Sequence, residues 1–231
     1  MDFCLGWITR YGRQAPAAGL YLLFRWIGFR HFRKLERKIP LHGSVLDLGC
    51  GYGLLSNLVA AGSAARDVTG IDLLESRLKV ARQVALAEKI KNVQFERRDF
   101  SDLPEGRFSA IVVADALFYY SLEKQRAILD ACRQRLADGG VILIKEQGIE
   151  PGWKARMVGL QERLVVTSKT RLGRSEEWGR IAPDGVHLWN VDRLADFLRS
   201  RGLAVQHEAL DAWSYLSHYL VVAWDARQGP P

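Results

Sequence analysis

Four short strand-like runs, each with an aspartate within two residues of its end, alternate with amphipathic stretches in the first half of this chain. The runs cover residues 44–48, 67–71, 93–97 and 110–114, and a fifth run follows at residues 141–144. Apolar strands that alternate with helices form a parallel sheet whose two faces are both covered by helices. The sequence therefore predicts an α/β fold with a doubly wound, mostly parallel sheet.

The rest of the chain completes this pattern and adds two segments to it. Residues 1–40 are predicted to form a basic, aromatic N-terminal helical extension, and residues 41–231 one domain. Within that domain, residues 148–190 interrupt the alternation and are predicted to form a cap, with a helical apolar period at Trp153, Met157, Leu160 and Leu164. Further helices are predicted at residues 54–61, 75–88, 122–136 and 191–200, and closing strands at residues 203–207 and 218–224.

Composition indicates a globular protein with a sizeable core. Hydrophobic residues make up 48% of the chain and charged residues 26%, a balance that excludes disordered, collagen-like and coiled-coil chains. The cysteines Cys4, Cys50 and Cys132 are odd in number and far apart, which disfavours a disulfide framework and a cysteine-based metal site. We therefore expect a cytoplasmic protein with no bound metal.

The N-terminal extension carries most of the net charge. Residues 1–40 hold eight basic and two acidic side chains, which is +6 of the total of +7. Placed at 100° per residue, residues 20–39 have an apolar side and a basic side, which predicts one amphipathic helix ending before Pro40. The longest uncharged run in the extension has 11 residues. That is too short for a membrane-spanning helix, which needs about 20.

Several roles are open for this basic helix. It can cover a ligand site as a lid, with its basic face in solvent. Its arginine and aromatic side chains also suit an anionic membrane surface, at the inner face of the membrane, or an acidic carrier protein. Nucleic-acid binding is disfavoured, because the remaining 191 residues add only +1 to the net charge.

A glycine-rich segment, VLDLGCGYG at residues 45–53, joins the first strand to the first helix of the sheet. Glycines let the backbone approach a ligand closely, and the following helix offers free N–H groups. The segment departs from the dinucleotide fingerprint G-x-G-x-x-G, whose third glycine is replaced here by Leu54. Asp47 would repel a pyrophosphate, whereas its carboxylate suits a ligand with an ammonium group, such as S-adenosylmethionine.

Two more acids follow the next strands at positions where they can contact the same ligand. Asp72 lies 21 residues after Gly51, at the spacing where an acid accepts hydrogen bonds from both ribose hydroxyls. Asp99 ends the third strand, where it can accept from an adenine amino group. Leu73 and Phe100 supply apolar neighbours for the adenine ring.

Together these segments resemble the class I S-adenosylmethionine-dependent methyltransferases. The matching stretches are VLDLGCGYG, VTGID, RRDF, FSAIVVADALFYY and RLADGGVILIKE, between residues 44 and 146. The resemblance implies S-adenosyl-L-methionine as cofactor, in-line methyl transfer, and a seven-stranded Rossmann-like sheet whose last strand is antiparallel. The donor-site residues that it implies are Asp47, Gly49, Gly51 and Gly53 in the loop, Asp72 at the ribose, Leu73, Asp99 and Phe100 around the adenine, and Asp115 at the methionine end.

The methyl acceptor is less constrained by the sequence. Candidate pocket residues are Tyr119, Tyr120, Lys145, Glu146 and His187, of which Tyr119 and His187 are our candidates for a catalytic role. Directly after the fourth strand the chain lacks the Asn-Pro-Pro-Tyr motif of enzymes that methylate nucleic-acid amino groups, and no cysteine lies there for a covalent attack on cytosine. After the fifth strand it lacks the second acid followed by Asn that is found in enzymes that use magnesium with catechols. With an apolar cap, this predicts a small hydrophobic, acyl or aromatic acceptor.

Two other functions fit parts of the pattern. A non-catalytic S-adenosylmethionine-binding partner subunit would keep the same loop and acids, and only product formation distinguishes it from an enzyme. A nicotinamide-dependent oxidoreductase would also have a glycine-rich loop at this place. Asp47 and Leu54 disfavour the oxidoreductase, because a dinucleotide site requires room for a pyrophosphate and a third glycine.

Overall fold

The computed structural model of this chain describes residues 3–25, 29, 31–148, 186–210 and 218–229. Within these residues, the strands are β1 Gly43–Leu48, β2 Arg66–Asp72, β3 Val93–Arg97, β4 Phe108–Ala114, β5 Leu136–Gln147, β6 Leu203–Ala209 and β7 His218–Asp225. The helices are α1 Phe3–Gln14, α2 Pro16–Phe24, α3 Phe32–Glu36, α4 Leu54–Gly62, α5 Glu75–Ala87, α6 Leu122–Gln134 and α7 Val191–Ser200. A short 3₁₀ helix spans Leu117–Tyr119.

The seven strands of the described residues form one sheet in the order β3-β2-β1-β4-β5-β7-β6. The first five strands in this order are parallel, β7 runs antiparallel to β5, and β6 runs antiparallel to β7. The strand order reverses between β1 and β4, which opens a crevice at the carboxyl ends of these strands. The predicted seven-stranded sheet with an antiparallel last strand is confirmed.

Side chains of the central strands alternate between two apolar layers, one on each face of the sheet. In β1, Val45 packs into the layer that also contains buried residues of α1 to α5, whereas Leu46 and Leu48 pack into the other layer. In β4, Val112 packs into the same layer as Val45, and Ile111 packs into the same layer as Leu46. The layer of Leu46 also contains buried residues of α6 and α7. Because β1 to β5 are parallel, their carboxyl ends lie at one edge of this apolar sheet.

The boundaries predicted for the strands agree with the structure to within a few residues, except at β5. This strand was predicted at residues 141–144, after a turn at residues 138–140, but it begins at Leu136. Leu136 pairs with Phe108 of β4, and the register shifts between Phe108 and Ala110. The irregular register accommodates the turn-forming residues within the strand, and antiparallel pairing with β7 extends β5 to Gln147.

The N-terminal extension differs from its prediction. The single helix predicted over residues 20–39 is divided into α2, which begins at Pro16, and the separate five-residue helix α3. Proline favours the first turn of a helix because its missing N–H needs no partner there. The sequence prediction also missed α1, although its buried residues Trp7, Ile8 and Tyr11 have helical spacing.

A buried arginine connects the end of the extension to the sheet. The Arg66 guanidinium, on β2, donates hydrogen bonds to the carbonyl oxygens of Ile39 and Pro40 at 2.8 Å. It also forms an ion pair of 2.7 Å with Glu36 of α3. A buried guanidinium is stable only when its charge and its N–H groups are matched. Arg66 therefore fixes the position of α3 against the sheet.

The predicted cap lies almost wholly outside the described residues, and so does its apolar period. Of residues 148–190, the structure describes 148 and 186–190. Gly148 and Trp189 form a short parallel bridge, and the His187 N–H donates to the Phe118 carbonyl oxygen at 2.8 Å. The two ends of the segment therefore meet beside the 3₁₀ helix. A search of the described part of the chain for membrane-spanning helices found none long and apolar enough to cross a bilayer.

Candidate active site

The loop between β1 and α4 turns on three glycines. Gly49, Gly51 and Gly53 have φ values of +73°, +56° and +72°, in the left-handed region that glycine adopts without steric cost. A Cβ atom at Gly49 would lie 2.5 Å from the Cβ of Ala116, which leaves no room for a side chain. The Gly49 and Cys50 N–H groups donate to the Ile71 carbonyl oxygen, so the loop is fixed to the end of β2.

Asp47 is buried on β1 beneath this loop. Its carboxylate accepts a hydrogen bond of 2.5 Å from the Ser56 hydroxyl, at the start of α4. Burial, reinforced by the charge of Asp72, raises the pKa of Asp47 to about 6. The carboxylate therefore lies where a cationic ligand group would stabilise its ionised form. Ser56 was not identified in the sequence, although its place one turn into the helix after a glycine loop is a usable signal.

Asp72 ends β2, next to the loop, and both of its carboxylate oxygens are held by backbone N–H groups. The Gly51 N–H donates to Oδ2 at 2.9 Å, and the Leu74 N–H donates to Oδ1 at 2.8 Å. Each oxygen retains lone pairs for a second hydrogen bond. Since both oxygens are fixed, the side chain is preorganised as a double acceptor for a diol.

Asp99 follows β3, but it is not among the described residues that line the pocket. Its Oδ1 accepts from the Ser101 N–H and hydroxyl, at 2.9 and 2.6 Å, and lies 3.6 Å from the Lys124 ammonium. Burial alone would raise the pKa of Asp99, but the Ser101 hydrogen bonds and the Lys124 charge outweigh it and lower the pKa. Asp99 also accepts from the Tyr120 hydroxyl at 3.4 Å. Its predicted contact with adenine stays a prediction.

Aromatic and aliphatic side chains form the walls of the pocket. Phe100 lines it together with Tyr120, their ring centroids 5.1 Å apart. The loop residue Tyr52 contacts Tyr21 of α2 at a ring-centroid distance of 5.4 Å. The remaining apolar lining residues from the extension and the loops are Leu22, Phe29, Phe32, Leu54, Leu55 and Leu73, and the basic ones are Arg25 and Arg77. The extension therefore forms one wall of the pocket, as a lid requires, and its lining residues were not identified in the sequence.

At the ends of β4 and β5 the site is charged and buried. Asp115 lines the pocket with φ at +54°, and its carboxylate forms an ion pair with the buried ammonium of Lys145. Glu146 Oε1 accepts from the N–H groups of Ala116 and Leu117, at 2.9 and 2.7 Å. Burial and the negative charge of Asp115 raise the pKa of Glu146 to about 8. Asp115 Oδ1 and Glu146 Oε2 have no hydrogen-bond partner among the described residues.

The structure separates the two candidates for a catalytic role. Tyr119 lines the pocket beside Asp115. His187 is outside the described lining, and its backbone is fixed by Phe118 and by the Gln125 side-chain amide, which donates to its carbonyl oxygen at 2.8 Å. Of these two residues, only Tyr119 borders the space where an acceptor can lie. The described residues contain no group of three or more His, Cys, Asp or Glu side chains that could hold a metal ion.

Comparison with known proteins identifies relatives of this domain. A family model described as "Methyltransferase domain" matches residues 45–140. The Ubiquinone biosynthesis O-methyltransferase of Xylella fastidiosa strain 9a5c is 33% identical over 146 residues, which are 62% of this chain and 54% of that protein. The enzyme of the same name from Thiobacillus denitrificans is 34% identical over 112 residues, or 47% and 46% of the two chains. The chain thus spans about half the length of these curated relatives.

Solved structures share the fold over nearly the whole chain. The DhpI-SAH complex structure covers 98% of this chain and 98% of its own, with a TM-score of 0.62 and 14% identity. The magnesium protoporphyrin IX methyltransferase ChlM from Synechocystis PCC 6803, with bound SAH, covers 94% and 97%, with a TM-score of 0.63 and 16% identity. At these identities the likeness establishes the fold.

Proposed function

We propose that this chain is a class I, S-adenosylmethionine-dependent methyltransferase that methylates a hydroxyl group of a small, predominantly apolar acceptor. The match of residues 45–140 to a family model described as "Methyltransferase domain" supports this proposal. The observation that carries the proposal is the hydrogen bonding between the glycine loop and Asp72. The Gly51 and Leu74 N–H groups fix both carboxylate oxygens. This arrangement suits the two hydroxyls of a ribose.

The charges of the site fit S-adenosylmethionine better than a dinucleotide. Asp72 lies close enough to Asp47 for its charge to help raise the pKa of Asp47. Two such carboxylates favour a cation and oppose a pyrophosphate. We assign Asp47 to the ammonium side of the donor, Asp72 to its ribose, and Leu73 and Phe100 to the faces of its adenine. When bound, this donor supplies an electrophilic methyl group on a sulfonium.

The acceptor end of the pocket is formed by Asp115 and Tyr119. Lys145 balances the charge of Asp115, so the Asp115 carboxylate can lie in a buried site. There it lies beside the acceptor oxygen, on which positive charge develops as the methyl group is transferred. Tyr119 is placed to orient an acceptor hydroxyl, and alignment supplies much of the rate of such a transfer. The apolar walls favour an apolar acceptor body, and the names of the curated relatives support oxygen as the methylated atom.

Donor binding is tested by titrating S-adenosylhomocysteine by calorimetry into the wild-type protein and two variants. Asp72→Ala should weaken binding at least about tenfold, because each charge-assisted hydrogen bond contributes about 1.5–3 kcal/mol. Asp67→Ala is the matched control, since Asp67 is exposed on the same strand and should leave the affinity unchanged. An Asp72→Ala variant with wild-type affinity would contradict the donor site, and tight binding of NADH instead would favour the oxidoreductase.

Transfer is tested by following S-adenosylhomocysteine formation from S-adenosylmethionine with a panel of acceptors. Phenols and alcohols with apolar bodies should give product, and Tyr119→Phe should lower kcat more than it changes the affinity for the donor. Product only with polar amines or RNA would contradict the proposed acceptor. Donor binding without product from any member of the panel would favour the non-catalytic partner subunit.

A further inference from the structure

The exposed side of α2 consists entirely of apolar side chains. Its exposed residues fall within an arc of about 120° on the helix, opposite the buried Ala18 and Leu22. They are Pro16, Ala17, Leu20, Leu23 and Phe24. Of these, Leu20, Leu23 and Phe24 are 56%, 52% and 82% exposed. Single exposed apolar residues are ordinary, but a whole helix face without a polar side chain marks an interaction surface.

The extension that carries this face is basic. Residues 3–25 contain three arginines and no acidic residue. In α3 and the turn after it, the basic residues Arg33, Lys34, Arg37 and Lys38 are exposed, whereas Glu36 is engaged by Arg66. Lys34 forms an exposed ion pair with Glu208, and such pairs contribute little. The partner that suits an apolar helix face in this setting carries apolar chains and negative charge.

The same helix also borders the pocket. Tyr21 and Leu22 of α2 line it, and Arg25 continues the lining directly after the helix. The apolar face and the pocket are therefore separated by the width of one helix. A surface that binds the apolar face would lie next to the wall of the site.

We propose that the exposed face of α2 docks on an anionic lipid bilayer, with Leu20, Leu23 and Phe24 inserted among the acyl chains and basic residues of the extension at the phosphates. Interfacial helices of this composition bind by apolar burial and by attraction to anionic headgroups together. Membrane binding itself does not depend on the proposed function. The consequence that an apolar acceptor reaches the site from the bilayer rests on that function.

A protein partner or a second copy of the chain fits this surface less well. A standard protein interface uses roughly 20–30 residues on each side and surrounds its apolar centre with a polar rim that forms hydrogen bonds. Here three large side chains project from a helix of nine residues. The exposed face of α2 itself carries no hydrogen-bonding side chain. A fluid bilayer requires neither a matching surface nor a fixed set of hydrogen bonds.

The test is co-sedimentation of the full-length protein with vesicles of phosphatidylcholine alone and of an equal mixture of phosphatidylcholine and phosphatidylglycerol. The wild-type protein should bind the mixed vesicles, and high salt should weaken this binding by screening the basic residues. The triple variant Leu20→Gln/Leu23→Gln/Phe24→Gln should bind at least about tenfold more weakly. The matched control is Leu86→Gln on α5, where Leu86 is 81% exposed, and it should bind like the wild type.

Titration with S-adenosylhomocysteine shows whether the triple variant is folded, since none of its three positions lines the pocket. Wild-type donor affinity together with lost vesicle binding would support the proposal. A wild-type protein that stays in the supernatant, or a triple variant that sediments like the wild type, would overturn it. The proposal would also be overturned if the wild-type protein were a dimer in analytical ultracentrifugation, the triple variant were a monomer, and neither bound vesicles. Failure of the wild type to bind the donor would contradict the proposed function alone.

Discussion

The two ends of the pocket, one of which we propose binds the donor and the other the acceptor, are built by different kinds of contact. At the donor end, Asp72 and the glycine loop satisfy each other through backbone hydrogen bonds, and Asp47 is held by Ser56 nine residues away. At the acceptor end, Asp115 depends on Lys145, 30 residues away on the next strand. There, two buried carboxylate oxygens have no partner among the described residues. The donor end is thus completed by its own loop, whereas the acceptor end depends on a buried balance of charge.

This difference predicts how the two ends respond to change. The structure of the donor end is determined by its backbone geometry. A single added methyl group should therefore reduce stability and donor binding more than the loss of a charge does. At the acceptor end, burial and the charge of Asp115 raise the pKa of Glu146, so the protonation of Glu146 should change the stability of this end with pH. A steric substitution and a pH series therefore examine the two ends separately.

The largest effect is expected from Gly49→Ala. Alanine is strained at φ +73°, and its Cβ would lie 2.5 Å from Ala116 and 2.9 Å from the ring of Phe100. Left-handed backbone and overpacking together should lower the free energy of unfolding by about 2–4 kcal/mol, and donor binding should be lost with the loop geometry. Denaturant unfolding and calorimetry measure the two effects.

The control for that substitution is Gly6→Ala in α1, where an added Cβ meets nothing within 4 Å. Alanine is favoured over glycine within a helix by roughly 0.5–1 kcal/mol. This variant should therefore be at least as stable as the wild type and bind the donor normally. If Gly49→Ala behaved like Gly6→Ala, the donor end would not be determined by its backbone.

An intermediate effect is expected from Glu146→Gln, in the pH dependence of stability. The pKa of Glu146 is raised to about 8 in the folded protein, so between about pH 4.5 and 8 the folded state holds a proton that the unfolded chain has released. The free energy of unfolding should fall as pH rises through this window. Asp47 contributes only up to about pH 6, so the slope from pH 6.5 to 8 belongs to Glu146 and should be shallower in Glu146→Gln.

Urea unfolding at a series of pH values measures this slope. Asp47→Asn is the matched control from the donor end, and it should change the slope below pH 6 while leaving the slope near pH 7 to 8 as in the wild type. An unchanged slope above pH 6.5 in Glu146→Gln would show that the acceptor end does not hold a proton. The contrast between the two ends would then disappear.

The smallest effect is expected from Asp99→Asn. Asp99 is partly exposed and already engaged by Ser101, Lys124 and Tyr120, and asparagine keeps one acceptor oxygen. The affinity for S-adenosylhomocysteine should fall about two- to fivefold in calorimetry, the range of a screened, partly exposed interaction. A loss as large as that of Asp72→Ala would mean that Asp99 contacts the donor directly, and the donor end would extend to β3.

The sequence predicted the parts of this site that depend on local pattern. Apolar runs indicated the strands, and the helix at Val191–Ser200 was predicted with the bounds that the structure shows. The glycines and the spacing from Gly51 to Asp72 indicated the donor loop. The start of α2 was missed, because Pro16 is compatible both with a helix start and with a loop. The role of Arg66 was missed because its partners, 26 to 30 residues away, become neighbours only in the folded chain.

The order of strands and helices, the parallel sheet and the glycine loop can be predicted from the amino-acid sequence. These follow from periodicity, from the φ values open to glycine, and from burial of apolar side chains, all of which act over short segments. The wall that the extension forms, and the contacts among Asp115, Lys145 and Glu146, become visible in the folded chain. Electrostatic energies depend on distance and burial in space, and the Asp115 carboxylate and the Lys145 ammonium, 30 positions apart, meet only when β4 and β5 pair.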